Sequence, residues 1–107
     1  MERLPENEPV RVDFGPRQSP VLRLANHDFT LVSGSHNFLL IDDTGGDIRL
    51  PGNHAVVGRA SSCGAVLSAR YRSVSRKHLM IEIHDDGTVY LTDISLMGTY
   101  IPGEAVG

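Results

Sequence analysis

The 107 residues predict an all-β fold, an antiparallel β-sandwich. Three observations carry this. Short apolar pieces are cut by turn residues every eight to about twelve positions, the spacing of sandwiches and barrels. No segment holds a helical period. The stretch HLMIEIHDDGTVYLTDI alternates apolar and polar residues on both sides of an Asp-Gly pair, as a hairpin with one buried face does.

Taken in order, residues 1–20 (MERLPENEPVRVDFGPRQSP) carry four prolines and three glutamates with little periodicity, the composition of a flexible tail or linker. The folded domain is expected over 21–107. Its strands are VLRLA (21–25), FTLVS (29–33), NFLLID (37–42), DIRLP (47–51), AVVGR (55–59), AVLS (65–68), HLMIEIH (78–84), TVYLTDI (88–94) and GTYI (98–101). In the clearest hairpin Leu79, Ile81 and Ile83 share one face, Asp86-Gly87 supplies the positive φ angles of a tight turn, and Val89 and Leu91 return. A second hairpin joins NFLLID to DIRLP through DTGG. Alternation puts Val57 in the core and sends Gly58-Arg59 out of the sheet into the loop ASSCG.

Bulk properties narrow the function. A chain of this length removes roughly 65% of its unfolded surface from water, enough for one core without staples. The single cysteine, Cys63, has no internal partner, which fits a reducing, cytoplasmic setting. The longest apolar runs fall far short of the roughly 20 residues of a membrane span, and the N-terminus has no signal core. The formal net charge of −3 and the absence of Trp argue against non-specific nucleic-acid binding.

Against that acidic background, five of the ten Lys and Arg residues (Arg59, Arg70, Arg72, Arg76, Lys77) fall between positions 59 and 77, and no Asp or Glu occurs from Arg59 to Ile81. If the strands pair as read, the loop after AVVGR and the loop before HLMIEI lie at ends of neighbouring strands, and the cations converge on one edge. Such an edge suits an anion, because an Arg fork matches phosphate oxygens two at a time. Ser73 and Ser75 add short hydroxyl donors. A solvated basic loop is the alternative, and charge alone does not separate the two.

The series Gly58-Arg59, then Ser75-Arg76-Lys77-His78 with Ser-x-x-His spacing, then the hairpin, then DISLMGTYI (93–101) resembles the forkhead-associated (FHA) domain over roughly residues 36 to 103. The resemblance implies an FHA-like sandwich of about eleven strands and a non-enzymatic module that binds phosphothreonine segments through loops at one end, using neither metal nor cofactor. Its partner would be a phosphothreonine-containing protein, the substrate of a Ser/Thr kinase, and not a membrane; the basic edge would also attract a nucleic-acid backbone, a reading that the net charge and the scarcity of aromatics disfavour. Carried over by position, Arg59 and Ser75 match the phosphate ligands, and Arg76 matches a further phosphate or peptide contact. Arg72, Ser73 and Lys77 are neighbours. His78 matches the motif histidine that braces the binding loops, Gly58 and Gly98 serve backbone geometry, Asp93 stabilises a loop, and Thr99 packs or bonds inside the sandwich.

Two departures matter. Met97 stands where the family has the Asn that grips the peptide backbone, and Leu96 where it has Ser or Thr. A thioether neither donates nor accepts as an amide does, and each lost bond removes on the order of 1 kcal/mol. This raises a second reading, an FHA-like scaffold for phospho-independent interaction or oligomerisation. The family also continues some twenty-five residues beyond the Gly-Thr strand, into a closing hairpin, whereas the sequence here ends at IPGEAVG. Either residues 21–35 supply that hairpin, within the chain as a circular permutation or between two chains as a strand exchange giving a homodimer, or the sequence is a piece of a larger protein.

Other chemistries fit poorly. Between Cys63 and Arg70 stand six residues, where a cysteine-phosphatase loop needs five. The five histidines (His27, His36, His54, His78, His84) form neither HxH nor HExxH. There is no GxxxxGK[ST] loop. Asp42-Asp43 and Asp85-Asp86 sit in turns, where Asp bonds locally. A nucleic-acid interface would lean on Tyr71, the one aromatic in the basic stretch.

Overall fold

The computed structural model describes residues 1–12, 19–33, 38–86 and 88–103. Among these the chain forms eleven strands and no α-helix: β1 (Glu2–Arg3), β2 (Val10–Val12), β3 (Val21–Leu24), β4 (His27–Ser33), β5 (Phe38–Ile41), β6 (Asp47–Leu50), β7 (His54–Gly58), β8 (Ala65–Val66), β9 (Leu79–Ile83), β10 (Val89–Asp93) and β11 (Thr99–Ile101). Two sheets face each other as a sandwich, one in the order β1-β11-β3-β4-β5-β6, the other β2-β10-β9-β7-β8. The named strands pair antiparallel except for the short parallel contact of β7 with β8, and an isolated parallel bridge joins Glu6 to Asp93.

Alternation explains the layers. Leu22, Leu24, Phe29, Leu31, Leu40 and Leu50 from one sheet meet Ala55, Val57, Leu79, Ile81, Val89 and Leu91 from the other in a single core. The expected β9–β10 hairpin forms with Leu91 opposite Ile81. Gly87 lies outside the described residues, and Asp86 Oδ1 accepts the Thr88 amide at 2.9 Å. In the β5–β6 turn Asp42 Oδ1 accepts from the amides of Thr44 (2.9 Å) and Gly46 (2.8 Å), the local bonding that favours Asp in turns.

The expectation of a tail over residues 1–20 is corrected for residues 2–12. β1 pairs with β11 and β2 with β10, the Leu4 amide donates to Thr99 O at 2.8 Å and the Asn7 amide to Asp93 O at 2.8 Å, and Leu4 and Val12 are buried. An edge strand is held by backbone bonds and a few apolar anchors, so strands of two or three residues set among Pro5 and Pro9 leave no alternation to read. Residues 13–18 lie outside the described residues.

The hairpin β3–β4 sits within the same chain, between β11 and β5. Its turn is Ala25-Asn26, with Ala25 at φ 58°, so His27 and Asp28, expected in the turn, begin the returning strand.

Candidate functional site

Three connections and one hairpin tip meet at one end of the sandwich. β7 delivers Gly58 and Arg59 alongside the segment that precedes β9: the Arg59 amide donates to Ser75 O at 3.3 Å, the Ala60 amide to Arg76 O at 2.9 Å, and the His78 amide to Val57 O at 2.8 Å. Gly58 permits this approach. A Cβ there would stand 2.2 Å from Arg76 O and 2.7 Å from Arg76 C, both backbone atoms with no room to yield. The residues expected to act together, Arg59 and Ser75, are therefore neighbours across a backbone contact.

Their polar atoms are set in specific ways. Arg59 donates from Nε to the Val74 carbonyl, and this one bond aims the side chain. Its two terminal amino groups have no hydrogen-bond partner among the described residues, and no carboxylate pairs with it. Ser75 Oγ accepts the Leu96 amide at 3.0 Å, which occupies a lone pair and leaves the hydroxyl proton as the donor available to a ligand. Arg72, Arg76 and Lys77 are exposed and make no ion pair among the described residues.

His78, fully buried, ties two of the connections together. Its Nδ1 accepts the Ser75 amide at 3.0 Å, so Nε2 carries the proton and donates to Gly98 O at 2.9 Å. Burial pushes His78 below its ordinary value of 6.5, against the opposing pull of the Gly98 carbonyl and the Asp93 carboxylate. Because the unfolded chain binds the proton more readily, this contribution to stability is complete above the unfolded value and drains away as pH falls below it towards the lower folded value. Thermal melts should accordingly fall between about pH 7.5 and about pH 5.5, where ordinary carboxylates remain ionised. The side-chain nitrogen shifts of His78 should show the Nε2–H form above pH 6.5. A His78 ring that titrates above its ordinary value would refute the account.

The loop after β10 is held by Asp93. This fully buried carboxylate accepts at Oδ1 from the Ser95 amide (3.1 Å), Ser95 Oγ (2.6 Å) and Thr99 Oγ1 (2.9 Å), and Ser95 Oγ accepts the Gly98 amide at 2.8 Å. Gly98 takes φ +95°, a left-handed conformation that only glycine adopts without strain. Leu96 and Met97 project from this hydrogen-bonded loop and are 83% and 54% exposed.

Some expectations change. Arg70 is not free for a ligand: its Nη2 donates to Asp43 Oδ1 at 2.9 Å and its guanidinium lies 4.4 Å over the Tyr71 ring. An acid-free stretch of sequence thus acquires an acid from the β5–β6 turn. Tyr71 is buried against Phe29 and His27, with ring centroids 5.1 Å and 4.8 Å away, so it offers no stacking face. Its hydroxyl, bonded to Asp43, is pushed up to about 12, chiefly by burial. Ser73 donates its hydroxyl to Asn26 Oδ1 in the β3–β4 turn and has no second proton to offer. Cys63 is buried, with Sγ donating to Arg76 O at 3.1 Å. Among the described residues no group of three His, Cys, Asp or Glu could hold a metal ion. A hollow of about 400 Å³ lined by Asn53, His54, Met80 and His84 lies at the opposite ends of β7 and β9.

No curated protein and no solved structure matches the chain. The family model of the FHA domain matches residues 55–107, beginning in the strand that delivers Gly58 and Arg59 and running through each connection of the site. Residues 55–107 therefore belong to the FHA domain family, whose members are in general phosphopeptide-binding interaction modules and not enzymes.

Proposed function

We propose that this protein binds phosphothreonine-containing segments of partner proteins, with Arg59 and Ser75 as the phosphate ligands and Arg76, Arg72 and Lys77 adding positive potential. One observation carries the reading: the guanidinium of Arg59, anchored through Nε with its terminal amino groups unspent, lies beside a serine whose oxygen already accepts the Leu96 amide and whose hydroxyl proton is unspent among the described residues. Two groups so arranged both offer N–H or O–H donors to the same side, which suits a dianion. A phosphothreonine carries about −1.5 to −2 charge at neutral pH, so the charge itself supplies much of the discrimination against the unmodified residue.

The test is a degenerate peptide library centred on phosphothreonine, followed by titration of the selected peptide in phosphothreonine, phosphoserine and unmodified forms. Retention should require the phosphate and favour threonine, and the selected peptides should carry an apolar residue near it to cover Leu96 and Met97. Binding indifferent to peptide sequence and falling steeply with salt would instead indicate capture of a phosphate backbone. Equal binding of all three forms would favour the phospho-independent scaffold.

A further inference from the structure

The tip of the β3–β4 hairpin belongs to the ligand-binding end, although nothing in the spacing of the C-terminal half points to it. The Ala25 amide donates to Gly98 O at 2.9 Å, the same carbonyl that receives His78 Nε2. The next residue, Asn26, accepts the Ser73 hydroxyl at its amide oxygen. The turn is thereby fastened to two of the site's connections, beside the Leu96-Met97 pair on one side and the cation-bearing 72–77 segment on the other. Below it, His27 packs edge-on against the buried Tyr71. Asn26 itself is exposed.

From this we infer that Asn26 is a ligand-contacting residue, whose amide nitrogen donates to a backbone carbonyl of a residue flanking the phosphothreonine in the bound segment. A primary amide has one acceptor oxygen and two N–H donors. With Oδ1 engaged by Ser73, the side chain is fixed in direction and both donors have no partner among the described residues. An extended peptide crossing this end presents carbonyls every residue and needs such donors, and Met97 and Leu96 have none in their side chains. The hairpin tip thus supplies from the N-terminal half the polar grip that residues 96 and 97 lack. This rests on the phosphothreonine reading above.

The test compares two ligands on the wild-type chain, Asn26→Ala, Asn26→Asp and Arg59→Ala. One ligand is the library-selected phosphothreonine peptide, the other is phosphothreonine blocked at both ends, with no flanking residues. Asn26→Ala should weaken the long peptide roughly three- to tenfold, leave the blocked amino acid unaffected, and keep the ratio of phosphorylated to unmodified peptide affinity. Asn26→Asp keeps the acceptor for Ser73 but removes the donors, and should weaken the peptide at least as much. Arg59→Ala should lower both ligands together. Equal losses for both ligands on Asn26→Ala would make the residue merely structural and overturn the inference, as would unchanged peptide affinity; in either case the phosphothreonine reading stands. A wild-type chain without phosphate preference overturns both.

Discussion

Arg59→Ala should lower affinity for the phosphothreonine peptide by roughly thirty- to a hundred-and-fifty-fold, the equivalent of about 2–3 kcal/mol for charge-assisted hydrogen bonds to a dianion. The loss should exceed that from Arg72, Arg76 or Lys77, which are exposed and whose attraction is screened by salt. Arg59→Lys separates charge from geometry. Lysine keeps the positive charge but has no Nε donor to hold Val74 O and no planar fork, so it should recover only a small part of the affinity. Calorimetric titration at two salt concentrations measures this, with melting curves to show that each variant folds. Full binding by the lysine variant would mean that potential alone captures the phosphate. Unchanged binding by the alanine variant would remove residue 59 from the site.

The second large effect falls on a residue that never meets the ligand. Gly58→Ala should destabilise the fold by about 3 kcal/mol, at the upper end of overpacking costs, and lower the melting temperature by roughly 10–20 °C. Backbone strain is not the reason, since Gly58 is not among the residues with positive φ. The cause is steric: the new methyl would lie 2.2 Å from Arg76 O and 2.9 Å from Lys77 Cα. Relief requires β7 and the 75–77 segment to separate, which breaks the bonds from Arg59 N to Ser75 O and from Ala60 N to Arg76 O. Under the proposed function, phosphopeptide binding should therefore fall even at temperatures where the variant stays folded, because Arg59 and Ser75 part. A melting point within about 2 °C of wild type would contradict this.

Read from the residues alone, β3 to β11 were visible, because alternation of apolar and polar side chains and turn-forming Asp and Gly act locally. The pairing of Arg59 with Ser75 was visible only through the family's spacing. Tyr71 illustrates the limit. An aromatic between two arginines reads as a surface residue until Phe29 and His27, more than forty positions away, close over it. Arg70 is a parallel case, with its carboxylate partner at Asp43.

Local order along the chain carries the all-β class, the faces of its longer strands, and the Gly-Arg and Ser-x-x-His elements that resemble a phosphate site. The closed sandwich adds that residues 2–3 and 10–12 complete the sheets, that Arg70 is spent while Arg59 is not, and that the Ala25-Asn26 turn is fastened to the end that carries Arg59 and Ser75. The division has one physical reason. Periodicity and turn chemistry depend on neighbours along the chain, whereas edge pairing, ion pairing and burial depend on which distant segments the closed sandwich places in contact.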